Sequence, residues 1–299
     1  RRGRVGRRGG RRVTAAAAFA AALDRAQRTA SPIAQLTAED SLDLGTAYAT
    51  QHALVARRLA RGEQIVGVKL GFTSRAKAQQ MGVDDVIIGT LTDGMRLDDG
   101  GVFERGTAIH PRVEPEVAFL LGADVDDAML ADPSPGGPSD SWPASAAAGL
   151  VAAVAPALEI IDSRYRDFRF SLGEVVADNA SSAAFAIGAW QPTSALADLA
   201  LDNRAVTLEI DDRLAATGST AAILGDPVRA IATTLRLARA HGFPLRAGTV
   251  LLAGAATVAQ PVPHRGILEA SITGLGTVSL RVEPGEHPAN VRMRAEARR

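Results

Sequence analysis

Residues 110–117 read His110-Pro111-Arg112-Val113-Glu114-Pro115-Glu116-Val117, and the apolar character continues through Phe119, Leu120 and Leu121. Val113, Val117, Phe119 and Leu121 share one parity, and Glu114 and Glu116 share the other. A strand of period two therefore points both carboxylates to one face. Two like charges at that spacing repel unless a cation lies between them. A third glutamate, Glu159, sits inside the apolar run Ala157-Leu158-Glu159-Ile160-Ile161 and is a candidate third ligand. Three carboxylates, with no cysteine and no clustered histidines, suit a hard, oxygen-preferring ion, Mg2+ or Mn2+. The plain alternative is a solvated strand face with ordinary surface glutamates. Spacing by itself leaves both readings open.

The chain has 299 residues and is 46% hydrophobic, enough for one large domain or two small ones with a proper core. No apolar run is long enough to span a bilayer. The Ala-rich stretch from Thr14 follows a basic segment but runs on into Asp24-Arg25-Ala26-Gln27-Arg28, which reads as a continuing helix and not as a signal-peptide cleavage site. The absence of cysteine excludes disulfides, thiol catalysis and cysteine metal sites. A cytoplasmic enzyme is the default expectation. Acidic and basic residues number 33 each, yet residues 1–12 hold seven arginines and no acid, so the body of the chain carries a net charge of −7. Such a body should not bind nucleic acid. The Gly/Arg composition of the start predicts a disordered tail.

Pattern and punctuation predict helices over 14–31 and 38–61, the second capped by Thr37. A strand follows over 65–71, then a short helix from Arg75 to Met81. Asp98-Asp99-Gly100-Gly101 reads as a hairpin turn. Residues 122–144 read as a surface loop and 145–155 as a helix. Strands are expected near 156–161, 184–190, 205–214, 248–253 and 268–282. A helix should run from Asp226-Pro227 to His241-Gly242. The division is a tail over 1–13, a helical N-terminal part over 14–62, a β-rich domain over 63–283 and a C-terminal tail over 284–299. Strands outnumber helices without a βαβ alternation, so the class is α+β.

Several side chains are candidates for chemistry. Lys69 and Lys77 are the only lysines, and Lys69 lies in the apolar run Val66-Gly67-Val68-Lys69-Leu70-Gly71. A compact ammonium can touch a substrate carboxylate or enolate oxygen; equally, a lysine there can snorkel to the surface. In Val176-Ala177-Asp178-Asn179-Ala180-Ser181-Ser182, small polar groups could face an oxyanion, or Asx bonding could simply hold a turn. Arg164 and Arg112 offer forks for a carboxylate, although Arg112 could equally pair with the glutamates. Thr257 ends a small-residue turn that could lie near a ligand or merely join strands. His110 reads as structural or as a support to the metal site. There is no Gly-x-Ser-x-Gly, P-loop or dinucleotide motif.

Four motifs occur in an order that resembles the hydratase/decarboxylase branch of the fumarylacetoacetate hydrolase superfamily. They are Gly67-Val-Lys-Leu-Gly-Phe-Thr-Ser74, His110 to Glu116, Glu159-Ile-Ile-Asp-Ser-Arg164 and Val176 to Ser182. The resemblance covers roughly residues 15–283. It implies a mixed β-roll, a Mg2+ or Mn2+ site on Glu114, Glu116 and Glu159, and an active-site lysine at Lys69. Ser181 and Arg164 join Lys69 as expected catalytic groups; Arg112, Asn179, Ile87 and Thr257 are expected to bind substrate. Hydratases of this branch carry Gly-Val-x-x-Pro-Asp-Phe-Gly, whereas this chain reads Gly82-Val-Asp-Asp-Val-Ile-Ile-Gly89, with Ile87 at the Asp position. Adding water to a diene needs a proton-transfer group there. The implied reaction is therefore metal-dependent decarboxylation of 2-oxo-3-hexenedioate to 2-hydroxypenta-2,4-dienoate, in catechol meta-cleavage. The implied partners are a 2-oxo dicarboxylate, a 2-oxopent-4-enoate hydratase and further copies of the chain. The competing readings are the hydratase itself, a C–C bond hydrolase of the superfamily, and an idle partner subunit of a hydratase assembly. The 122–146 stretch is longer than the family pattern.

Overall fold

A computed structural model describes residues 5–36 (5–13 by backbone alone), 42–74, 86–125, 149–195 and 201–289. Helix α1 spans Val5–Arg28 and therefore starts inside the Arg/Gly segment read as a tail. It buries Ala16, Ala20, Leu23 and Ala26, a spacing that forms one stripe. Helix α2, Leu44–Leu59, is shorter than expected. Its cap is Asp43, whose carboxylate accepts from Thr46 N at 3.1 Å and Thr46 Oγ1 at 2.7 Å. Thr37 lies outside the described residues. Asp24 is buried on α1 and pairs with Arg57 at 3.1 Å and Arg61 at 2.8 Å, tying α1 to α2.

The strands are β1 Ile65–Gly71, β2 Ile87–Thr92, β3 Arg96–Leu97, β4 Val102–Glu104, β5 Arg112–Leu121, β6 Val151–Ile161 and β7 Ser182–Ile187. There follow β8 Gln191–Pro192, β9 Ala205–Ile210, β10 Arg213–Ser219, β11 Val250–Ala255, β12 Gln260–Pro261, β13 Gly266–Ile272 and β14 Gly276–Glu283. Two further helices are α3 Leu172–Ala177 and α4 Arg229–His241. The larger sheet runs β2-β1-β11-β5-β6-β7-β3, with β12 beside β5 and β8 beside β6; the smaller runs β10-β9-β13-β14-β4. Pairs β1/β11, β3/β7 and β4/β14 are parallel and the others antiparallel. The architecture is the expected mixed α+β roll. No helix among the described residues is long and apolar enough to cross a membrane.

Three cores hold the roll. Val113, Leu158 and Ile160 of the larger sheet pack on Leu208, Leu268 and Leu280 of the smaller one. Val68, Leu70 and Phe119 meet Leu23 and Leu54 of the helices. Ala118, Ala155, Ala157, Phe185 and Leu252 fill the third. Each fully buried Leu or Phe contributes roughly 1.5–3 kcal/mol.

Local expectations differ in places. The helix expected over 145–155 is strand from Val151 onward, because β6 is paired along its length and tertiary pairing overrides the helical propensity of alanine. The Asp98–Gly101 turn joins strands of different sheets and closes no hairpin: β3 pairs with β7, and β4 with β14. The 268–282 strand is itself a hairpin, β13–β14. Helix α4 starts at Arg229, with Asp226 accepting from Val228 N, and stops at left-handed Gly242 (φ 77°). The helix expected over 75–81 and most of the expected 122–144 loop lie outside the described residues.

The segment linking α1 to α2 is stitched to the β-rich part. Ile33 bridges Tyr165 in parallel, Gln35 Nε2 donates to Arg169 O at 2.9 Å, and Leu36 N donates to Glu174 Oε1 at 2.7 Å. From α2, Gln51 Nε2 donates to Ile88 O at 3.0 Å and Val176 O at 2.9 Å.

Candidate active site

Strands β5 and β6 pair so that Glu114 stands opposite Glu159 and Glu116 opposite Ala157. On that face the positions beyond are Ala118 and Ala155, both in the third core, so the carboxylates lie on an inward face. Glu114, Glu116 and Glu159 are 5%, 1% and 0% exposed, and one oxygen from each lies within 4.8 Å of the others. Gly254 N donates to Glu116 Oε2 at 2.7 Å. Gly254 has φ 108°, and a Cβ there would meet Thr73 Oγ1 at 2.1 Å, so this close approach needs glycine.

Lys69, on β1, is 3% exposed. Its Nζ lies 3.0 Å from Glu159 Oε2 and donates to Ala180 O at 3.0 Å. The first contact is an ion pair and the second a hydrogen bond, so Ala180 O takes one ammonium N–H. Burial works against the ammonium, but Glu159, Glu116 and Glu114 together hold its pKa above the usual lysine value. Burial, reinforced by the charge of Glu159, pushes Glu116 well above the ordinary carboxylate range; burial also lifts Glu159 against the pull of Lys69. Glu116 Oε1 and both carboxylate oxygens of Glu159 are buried without a hydrogen-bond donor. The all-oxygen cluster fits a hard divalent cation.

Residues 178–182 form a tight turn after α3. Asn179, Ala180 and Ser181 all have positive φ, at 54°, 52° and 58°. Such backbone costs roughly 1–3 kcal/mol per residue. Asn179 is held by its side chain, which accepts from Thr90 N at 2.7 Å and donates to Thr90 O at 2.8 Å. Both ends of its amide are thus engaged with β2. Arg164 is engaged within the chain likewise. It is 1% exposed, and four of its five N–H groups are committed. Nε donates to Asp178 Oδ1 at 2.5 Å, Nη2 to Asp178 O at 2.6 Å, and Nη1 to Asp162 O at 2.7 Å and Ser182 O at 3.0 Å. No fork is left for a substrate carboxylate. Ser181 Oγ is buried without a partner and lines a cavity.

That cavity gathers Lys69, Glu114, Ser181 and Ile87, with Thr73, Phe168, Phe170 and Ala255. Ile87 is 3% exposed, so an apolar side chain forms the wall next to the charged cluster. Arg112 is exposed, with its guanidinium 5.1 Å from the centre of the Phe168 ring, which places it at the rim. His110 packs on the same Phe168 ring, 4.8 Å between centroids, and its Nε2 is buried without a partner. Thr257 does not line the cavity. Its hydroxyl donates to Val258 O at 3.3 Å and its methyl packs near Gly218. Sequence reasoning gave no role to Thr73, Phe168, Phe170 or the Ala180 carbonyl, although Thr73 and Ala180 lie within motifs it had singled out. A larger groove, lined by Asp24, Arg25, Arg28 and Arg57, shares none of these residues.

No protein-family model matches the chain. It is 42% identical over 257 residues to a 4-oxalocrotonate decarboxylase from a Pseudomonas species, covering 86% of this chain and 94% of that protein. It is 38% identical over 267 residues to a 2-keto-4-pentenoate hydratase from Burkholderia vietnamiensis, covering 88% and 95%. Its structure superposes with TM-score 0.80, at 33% identity, on the 4-oxalocrotonate decarboxylase of Pseudomonas putida G7 complexed with magnesium and adipate, covering 89% of this chain and 97% of that one. The chain belongs to the hydratase/decarboxylase branch of the fumarylacetoacetate hydrolase superfamily. Members of this branch are small-molecule enzymes; that relative is complexed with magnesium, and the buried glutamate cluster of this chain could hold a metal ion.

Proposed function

We propose that the protein catalyses metal-dependent decarboxylation of 2-oxo-3-hexenedioate to 2-hydroxypenta-2,4-dienoate and CO2, in the cytoplasm. One observation carries the choice within the branch: Ile87 forms the cavity wall where hydratases carry an aspartate, beside an intact set of Glu114, Glu116, Glu159 and Lys69. Glu114, Glu116 and Glu159 would hold Mg2+ or Mn2+. A bound ion supplies Lewis-acid polarisation of the 2-oxo group.

The remaining work falls to the chain. As the C5–C6 bond breaks, its electron pair forms C4=C5, the C3=C4 pair moves to C2–C3, and the carbonyl pair settles on the C2 oxygen. A free N–H of Lys69 donates to that oxygen as charge develops there, and a proton from solvent then completes the 2-hydroxyl. Ser181 Oγ donates to the 1-carboxylate. Ile87, Phe168 and Phe170 offer no hydrogen bonds to the departing carboxylate, which favours neutral CO2. Arg112 at the rim attracts the dianionic substrate. The dienol product is labile, so transfer to a 2-oxopent-4-enoate hydratase in a complex belongs to this reading. The test is to incubate the protein with 2-oxo-3-hexenedioate and with 2-hydroxypentadienoate, with and without Mg2+, following CO2 and diene absorbance. CO2 release from the first is expected. Rapid metal-dependent hydration of the second without CO2 release would replace this reading by the hydratase.

A further inference from the structure

We infer that Asp178 is a positioning residue that, through Arg164 and the left-handed turn 179–181, aims the Ala180 carbonyl at Lys69 and so directs the rest of its ammonium into the cavity. This inference rests on the proposed part of Lys69 in the reaction. It starts from the hydrogen bonds of the turn. The carbonyls at 178, 179, 181 and 182 are satisfied within the turn and its clamp. Asp178 O accepts from Ser181 N and Arg164 Nη2, and Asn179 O accepts from Ser182 N. Ser181 O accepts from Asp162 N, and Ser182 O accepts from Arg164 Nη1. The Ala180 carbonyl is different: it accepts from Lys69 Nζ.

Three consecutive non-glycine residues do not hold left-handed backbone unaided. Two anchors impose it. At one end Asp178, 0% exposed, takes Arg164 Nε on one carboxylate oxygen and Arg164 N, at 3.0 Å, on the other. The same guanidinium reaches across to Ser182 O, so one side chain spans the turn. In the middle, the Asn179 amide pairs with Thr90 as a strand residue would. Gly89 makes room for this: a Cβ there would lie 2.9 Å from Asn179 O. Gly89 is also the β2 partner of Lys69, so the turn is seated directly over the lysine. An ammonium rotates freely about its last bond. The Ala180 carbonyl holds one N–H by a hydrogen bond, and beside the ion pair with Glu159 this sets which way the rest of the ammonium faces.

The test uses Asp178→Asn, Asp178→Glu and Asn179→Gly in the full chain. An amide at 178 sets its N–H2 against Arg164 N, donor against donor. Glycine at 179 removes the Thr90 tether while relieving the positive φ, so it should fold even where Asp178→Asn is weakened. With the substrate the wild type turns over, both should lower kcat by about 10²-fold, the effect of misplacing a reacting group by an ångström, with KM within about threefold. Asp178→Glu should recover most of kcat. Crystals of Asn179→Gly should show Ala180 O beyond about 3.5 Å from Lys69 Nζ. Wild-type kcat in Asn179→Gly, or an unmoved Ala180–Lys69 contact in its crystal, would overturn the inference. Lys69→Ala is run alongside. If it keeps full turnover, the proposed role of the lysine fails, whereas a crippled Lys69→Ala beside an unaffected Asn179→Gly removes only the positioning role.

Discussion

Glu114 and Glu159 face each other directly across β5 and β6, both buried. Like charges at that cross-strand distance destabilise a sheet, and Glu116 adds a third. The fold therefore carries a local repulsion that a divalent cation relieves. Added Mg2+ should raise the wild-type melting temperature, because ligand at a hundredfold excess over Kd stabilises by about 2.7 kcal/mol. Glu114→Gln, Glu116→Gln and Glu159→Gln should lose that response and the metal-dependent turnover. Metal-free Glu116→Gln should melt no lower than the wild type, since it removes buried charge. Thermal scans with and without Mg2+ decide this; an unchanged metal response in all three variants would sink the assignment.

Lys69→Ala should slow decarboxylation by about 10²-fold or more, the order lost with an oxyanion-stabilising donor. Lys69→Arg should rescue poorly, because a planar fork does not replace a point charge between Glu159 and Ala180 O. Steady-state kinetics at saturating Mg2+ measures both.

Ile87→Asp places a carboxylate in the cavity wall, where it repels the dianionic substrate. Decarboxylation should fall at least about tenfold. The ratio of CO2 release to diene hydration should fall with it, and this ratio is independent of how much of the variant folds. A ratio equal to the wild type would mean that Ile87 does not set the reaction type.

Burial pushes Asp178 up to about 6 against the pull of Arg164, from an ordinary value of 3.8. Between those values the folded chain keeps a proton that the unfolded chain has released. This group's contribution is therefore fully present below pH 3.8 and is lost as pH rises toward 6. Denaturant titrations from pH 4 to 6 should show a steeper fall with pH in the wild type than in Asp178→Asn. Parallel curves would contradict the shift.

Deleting residues 1–12 should leave melting temperature and turnover within error. The docking residues of α1 lie further on, at Ala16, Ala20, Leu23 and Ala26. A large loss of activity would show that this segment docks on the body.

The central strand and its two glutamates were legible because period two is a property of the backbone itself. The third glutamate and Lys69 were legible as charges inside apolar runs. What the sequence hid depends on contacts between distant segments. Nothing local to Arg164 shows that its fork closes on Asp178 and Ser182, and nothing local to Asn179 shows that Thr90 takes both ends of its amide. Phe168 and Phe170 carry no visible role in the sequence until the chain brings them into the wall of the cavity that Glu114 also lines. The start of β6 misled for a related reason: an alanine-rich stretch favours helix by propensity, and only pairing with β5 makes it strand.

The stitching of residues 33–36 to Tyr165, Arg169 and Glu174 bears on how the molecule comes apart. The stretch it grips, 164–170, carries Phe168 and Phe170 of the cavity wall, and Gln51 grips β2 and α3 from the other side. A boundary at residue 62 is thus a division of sequence but not of cooperativity. Amide exchange of α2, the 33–36 segment and the 164–176 stretch should proceed as one opening unit. A fragment beginning at residue 63 would keep its three buried glutamates and lose the segments that hold the cavity wall beside them.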